Sequence, residues 1–514
     1  MTETAPNALR VIVVGGGTAG WMAASLLKRR CGAAVSVAVL ESPEIGIVGV
    51  GEGSTPQLKL FFDTLGVRES EWMPRCNATY KTAIECVGWS TRPGAARYYH
   101  PFRTDLDDRS APAFYFNTLM RRRGFAVDAH PDGYFIDAAL AQQCLAPLPP
   151  ENFPFRAYYG YHFDAYLIGA FLRDHATSHG VEHLGGTVAH VARNEAGDLA
   201  TLTLSDGRTL TADFYIDCTG FRSLLLRQTL GVRFLPFAEN LYNDAAVAMP
   251  TPHAPGPIAP QTTATALSSG WAWKIPLTNR VGNGYVYSSR YLDRDAAEKE
   301  LRAHLGIGEA DVPVRHLSMR VGRVEAPWTQ NCLAVGLSQG FIEPLEATAL
   351  HLVQETLERF IEAWAGNGYR ADRRAAFNAE INGRFEGVRD YIVCRYKASH
   401  RSDTAYWRDA SGHDRLSDSL AQLLQCWLGG GDLTAEVERQ GIGRYFGAMS
   451  WHCLLAGYGL YPDPAALKAP GPREQPFEVA KIRDFIRRCT LNFRPHEAVL
   501  ADLREGRVEA ESWA

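Results

Sequence analysis

The chain is short of several features that would assign it a class at once. Its ten cysteines are scattered over 514 residues without a single CxxC pair. That spacing excludes a zinc ribbon or a disulfide framework, calls for no metal, and is what free thiols in a reducing cytoplasm look like. Basic charge is not in excess, with 53 Lys and Arg against 57 Asp and Glu and a net charge of -4. Phosphate-backbone binding is driven by clustered positive charge, so nucleic acid is excluded as a partner. No stretch reaches about 18 consecutive apolar residues, and the first residues lack a basic segment ahead of an apolar one. A soluble chain with no membrane partner is expected. There is no internal repeat and no low-complexity tract. At about 150 residues per domain, the length has room for about three domain-equivalents, more than one nucleotide-binding fold uses.

Glycine, by contrast, is concentrated where it can act. The apolar run from Arg10 leads into Gly15, Gly16, Gly17, Thr18, Ala19 and Gly20, and Trp21 to Arg30 has helical composition. A second apolar run, Val35 to Leu40, ends in Glu41, about 20 residues beyond the glycines. Strand, glycine turn, helix and strand make one βαβ unit. Its helix N-terminus offers backbone N–H groups to a pyrophosphate, and Glu41 can accept from ribose hydroxyls. A second strap carries Gly49, Gly51 and Gly53 at alternate positions, able to lie flat against a ring system. Thr201 to Leu204 and Thr209 to Ile216 read as strands around the turn at 205–208. Tyr161 to His179 reads as helix from the spacing of Phe163, Leu167, Phe171 and Leu172. Five prolines between Pro250 and Pro260 make a loop bordered by strands Asp244 to Met249 and Thr262 to Leu267. Beyond Glu346, the segments Leu350 to Ala365 and Ala371 to Lys397 are long and amphipathic, so the last third is mostly helical.

Three further segments carry chemistry. Gly336-Leu-Ser338-Gln-Gly340 matches a serine-hydrolase nucleophile elbow, but such an elbow needs its helix to begin at the serine. Here Pro344 intervenes and disfavours a helical Glu343. The other reading is a glycine-eased approach to a cofactor ring, with a helix start near Glu346 to Leu350 presenting donors to an anion. Gly270-Trp-Ala-Trp-Lys-Ile-Pro276 sets two indoles on one face of a strand, which alone means core. Lys81 interrupts a predominantly apolar strand-like segment; taken alone it is either at an edge with its ammonium in water, the commoner case, or a deliberately buried charge.

Together, Gly15 to Trp21, Lys81, Trp271-Ala-Trp273-Lys-Ile275-Pro276 and Pro344-Leu-Glu-Ala-Thr348 resemble the flavin-dependent tryptophan halogenase family. The likeness runs from about Val11 to about Tyr461. It implies a mixed α/β fold: an FAD-binding Rossmann-type monooxygenase module over 1–345, with insertions around 60–160, and a mainly helical substrate-covering part over 346–514. It implies FAD as cofactor, reduced by a separate NAD(P)H-dependent flavin reductase, which with dioxygen and chloride or bromide yields hypohalous acid. A homodimer is the family-level expectation. By the same likeness Lys81 and Glu346 are catalytic, and Thr348 and Ala349 bind halide. The cofactor contacts fall to Gly15, Gly16, Gly17, Thr18, Ala19, Gly20, Glu41, Gly51, Glu52, Val188, Leu337 and Leu350. His100 and Phe102 line the substrate pocket, and Trp271, Trp273, Ile275 and Pro276 keep substrate from the flavin.

Two departures bear on substrate. Relatives acting on free tryptophan read Pro-Leu-Glu-Ser-Thr-Gly, whereas this chain has Ala347 and Ala349, the latter a change that favours bromide. They also carry a tyrosine pair where this chain has Trp451 and His452, so partners for an amino-acid carboxylate are lost. The expectation is halogenation of indole or an indole derivative in place of free tryptophan. The alternatives are a flavin-dependent aromatic monooxygenase without halide use and, remotely, a serine hydrolase.

Overall fold

The computed structural model describes residues 8–44, 51–510 and 512–513. Gly49 of the second glycine strap lies outside them. Strand Leu9–Val14 is flanked in parallel by Val35–Glu41 and Phe214–Asp217, and the parallel sheet extends to Glu182–Gly185 on one side and Cys332–Ala334 on the other. Trp328–Thr329 closes it antiparallel. Val11 to Val14 are buried because helices cover the sheet, which is why that strand is continuously apolar. Helix Thr18–Cys31 follows directly and packs against helices Ala165–Ser178 and Ala349–Trp364.

A second sheet of seven strands is antiparallel except where Gln261–Leu267 runs parallel to Ala83–Val87. At its centre, Gly270–Pro276 lies between Gln261–Leu267 and Val281–Tyr287. A small sheet of Gly51–Gly53, Gly160–Asp164 and Thr79–Lys81 lies beside it.

Two sequence expectations are corrected. Tyr161 to Asp164 is strand, and the helix starts only at Ala165, because the Asp164 carboxylate accepts from the N–H groups of Tyr166 and Leu167 and caps it there. The 209–216 run is split: Thr209–Leu210 closes a hairpin on Leu199–Leu204, and Phe214–Asp217 crosses into the parallel sheet. The helices after residue 346 appear as Ala349–Trp364 and Arg374–Lys397, followed by shorter ones. Phe360 and Trp364 meet Phe214 of the parallel sheet at ring-centroid distances of 5.0 and 4.7 Å. One apolar cluster accordingly runs from Val11 to Leu503. Among the described residues no helix is long and apolar enough to cross a membrane, and the ten cysteines are unpaired.

Candidate active site

The glycine turn has the shape a pyrophosphate needs. Gly15 has φ +117° and its N–H donates to the Leu40 carbonyl at 2.9 Å; a Cβ there would lie 2.2 Å from the Cys218 carbonyl oxygen. A Cβ at Gly20 would lie 1.9 Å from the Gly15 carbonyl oxygen. Gly17 caps the helix with no side-chain hydrogen bond, so the N–H groups of its first turn, from Thr18 and Ala19 onward, face outward. The Glu41 side chain lies against Gly16, and its Oε2 is 3.0 Å from His183 Nε2. Gly186 N–H donates to the Glu41 carbonyl, which sets Val188 close by. Gly336, with φ +67°, brings the single turn that holds Leu337 against Ala19, and Leu350 sits in the first turn of helix Ala349–Trp364. An uncapped helix start, an open glycine and a carboxylate at the end of the second strand fit an adenine dinucleotide.

Strand Gly51–Gly53 runs from this region to Lys81. A Cβ on Gly51 would meet Ile275 and Leu277 at 3.6 Å, and one on Gly53 would lie 3.2 Å from Lys81 Nζ. Glu52, between them, has its carboxyl pushed up to about 7 by burial and by the charge of Asp164.

Lys81 is not at a water-facing edge. It is fully buried, pairs through its strand with Gly160, and its ammonium lies 5.4 Å from the Phe102 ring centre without a hydrogen-bond partner. Burial pushes its ammonium down to about 7, against the attraction of Glu346. Glu346 ends the turn Pro344–Glu346, and its carboxylate is ion-paired with the guanidinium of Arg395, both buried. Burial raises the Glu346 carboxyl above the ordinary value, while Arg395 first and Lys81 last pull it down.

The sequence reading missed Arg395. Its Nη1 donates to Cys86 Sγ at 3.0 Å, Tyr98 Oη at 3.1 Å and Tyr458 Oη at 3.3 Å. The signal was there: a guanidinium inside the apolar run Tyr391-Ile-Val-Cys-Arg395-Tyr396 needs a buried partner. His162, also missed, lies beside Lys81 and holds Thr79 and Thr262 hydroxyls at 3.0 and 2.9 Å.

His100 is buried, and burial together with the charges of Arg395 and Lys81 holds it well below the ordinary imidazole value, so it is neutral. It meets Tyr391 edge-on at 6.1 Å, and Tyr391 meets Trp451 at 4.7 Å. Trp451 therefore belongs to the same aromatic wall as His100. His452 does not. Successive helical residues point about 100° apart, and His452 instead stacks on Tyr115 at 4.3 Å and holds the Thr118 hydroxyl at 3.1 Å. Thr348 is the N-cap residue of helix Ala349–Trp364 and makes no side-chain cap; the Ala347 N–H is taken by the Pro344 carbonyl at 3.0 Å, which leaves the first-turn N–H groups from Ala349 onward to meet an anion.

In the hexapeptide both indoles are buried, 6.3 Å apart. Trp271 Nε1 donates to Glu343 Oε2 at 2.7 Å. Trp273 packs toward Gly284, while Ile275 and Pro276 end the strand next to Gly51. Ser338 is no nucleophile: its single hydroxyl proton is shared between Asp217 Oδ1 and the Gly220 carbonyl, each 3.1 Å away, and a two-residue strand follows where an elbow would have a helix.

The sequence profile of the tryptophan halogenase family matches residues 10–470. The chain belongs to this family of flavin-dependent halogenases. Tryptophan 6-halogenase SttH of Streptomyces toxytricini is 36% identical, over 93% of this chain and 95% of that one. Tryptophan 7-halogenase RebH of Lentzea aerocolonigenes is 34% identical, over 90% and 91%. Among solved structures, BrvH, a flavin-dependent halogenase from Brevundimonas sp. BAL3, superposes with a TM-score of 0.83 at 32% identity, over 97% of this chain and all of that one. This halogenase's fold is the mixed α/β arrangement expected.

Proposed function

We propose that this halogenase transfers a halogen, through Lys81 and Glu346, to an indole-type aromatic held against His100, Phe102 and Trp451. Bound FAD, reduced by a separate flavin reductase, supplies with dioxygen and halide the hypohalous acid that the chain then directs. Lys81, enclosed and without a partner, holds that oxidant by its oxygen. As the O–X bond breaks, the ring takes the halogen and the Lys81 ammonium protonates the departing oxygen to give water. Glu346 stabilises the positive ring and takes the proton from the substituted carbon, then returns it to the Lys81 amine. Substrate and oxidant lose a proton and a hydroxide, and both residues end as they began. A buried ammonium acidic enough to release its proton near neutrality suits that role.

The observation that supports this reading most is the unpartnered Lys81 ammonium enclosed with the Glu346–Arg395 pair and an aromatic wall. Helices Arg374–Lys397 and Ala448–Gly457 bring Tyr391, Arg395 and Trp451 to the substrate side, while Ala349–Trp364 packs on the nucleotide-binding helix. Trp451 in the wall and His452 turned away leave helix Ala448–Gly457 without a phenol for an amino-acid carboxylate, and Arg395 is already engaged by Glu346. That favours indole. The names of SttH and RebH favour free tryptophan as the second reading. Competition between equimolar indole and tryptophan, with reductase, NADH, FAD and bromide, decides: haloindole in excess supports the proposal, and halotryptophan in excess overturns the choice of substrate. Lys81→Ala should halogenate neither.

A further inference from the structure

Glu343 lies three residues before Glu346 and is completely buried. One of its oxygens, Oε2, accepts from three neutral donors: Trp271 Nε1 at 2.7 Å, Tyr396 Oη at 2.7 Å and Asn243 Nδ2 at 2.8 Å. The other, Oε1, has no partner. Asn243 is itself fixed, accepting from Tyr406 Oη at 3.0 Å. Burying a carboxylate is costly, and an apolar residue would fill the same space more cheaply. What this carboxylate does that an apolar residue could not is to tie three elements at one point.

Those elements matter to the site. Trp271 comes from the hexapeptide strand. Tyr396 is next to Arg395 on helix Arg374–Lys397, so Glu343 and Glu346 grip neighbouring residues of one helix. Directly after the second grip, Ala347 sits at φ +55°, a left-handed conformation that costs about 1 kcal/mol for a residue with a Cβ and persists only where the surroundings hold it. Leu345 N–H donates to the Glu343 carbonyl at 2.9 Å, closing the turn that aims Glu346.

We propose that Glu343 is a positioning residue that locks Trp271 and the turn bearing Glu346 to one another, so that oxidant passing the hexapeptide reaches Lys81 without escaping. The proposal rests on the halogenase reading above. A merely structural residue would change stability and flavin retention; a positioning residue also changes where the oxidant goes. The readout is the partition of halogen between the aromatic substrate and a soluble 1,3-diketone scavenger in the medium, measured alongside flavin binding and Tm. Glu343→Leu and Trp271→Phe should each lower the substrate-to-scavenger ratio about tenfold, the order of one lost hydrogen bond. Glu343→Gln, which keeps a carbonyl for Trp271, should recover part of it, and the Glu343→Leu/Trp271→Phe double variant should be no worse than the single ones. If Glu343→Leu does not fold, Trp271→Phe and Tyr396→Phe carry the same expectation. A wild-type ratio in the variants that fold, whatever happens to their stability, overturns the proposal. Absence of any halogenated product from the unsubstituted protein would instead overturn the halogenase reading.

Discussion

Replacing Lys81 with methionine should make the protein inactive and more stable at once. The folded chain holds this ammonium down to about 7, against an ordinary 10.5. Below pH 7 both folded and unfolded chains carry the proton, and the fold bears the whole cost of burying it. Between about 7 and 10.5 only the unfolded chain is protonated, so stability rises with pH, and above that range the cost has gone. A shift of that size at 1.36 kcal/mol per unit is about 5 kcal/mol at pH 6 and about 2 kcal/mol at pH 9. Methionine is unbranched, close in length and carries no charge, so Lys81→Met removes the cost while filling the space. Glu346 keeps Arg395 in the variant and is not left as an unpaired buried charge. At about 2.1 cal/mol/K per residue, 514 residues give about 1.1 kcal/mol per degree. Scanning calorimetry of the two proteins should therefore show Tm raised by about 4 °C at pH 6 and by about 2 °C at pH 9. A variant of equal or lower Tm at pH 6, or a difference that grows with pH, would refute the assignment of Lys81 as a buried, charged and destabilising group.

Two further outcomes follow from the same geometry. If Lys81 acts as an ammonium, kcat should fall as pH rises through about 7, roughly tenfold per unit beyond it; a rate that instead climbs through that pH would mean the neutral amine carries the halogen. Gly20→Ala, whose Cβ would overlap the Gly15 carbonyl, should abolish flavin retention on gel filtration; a yellow, fully loaded variant would contradict the placement of the dinucleotide at this turn.

The dinucleotide half of the site was legible in the sequence because its requirements are local. Gly15, Gly20 and Glu41 stand at spacings set by one βαβ unit, and short-range sterics fix them. The halogen-transfer half depends on contacts between distant segments, and there the residues alone misled. Lys81 read as either an edge lysine or a buried charge, with the edge favoured, since its strand does not announce that Phe102 and Glu346 close over it. Trp451 and His452 looked equivalent as neighbours, yet the helix turns one into the aromatic wall and the other onto Tyr115. Arg395 and Glu343 were visible only as charges inside apolar runs; their partners, 49 and 72 residues away at Glu346 and Trp271, come from the tertiary fold. The strand hidden at Tyr161 to Asp164 shows the same limit, because its apolar spacing serves both periods and the Asp164 cap decides.

Oxidant made at the flavin should reach an aromatic ring as halogen. The mass spectrum of the product formed from indole by the unsubstituted protein with reductase, NADH, FAD, dioxygen and bromide tests it most directly. The expected product is monobromoindole, recognised by its two isotopic peaks of nearly equal height, and none of it from Lys81→Met. Hydroxylated indole carrying one added oxygen and no bromine would rule out halogen transfer and make the protein a monooxygenase.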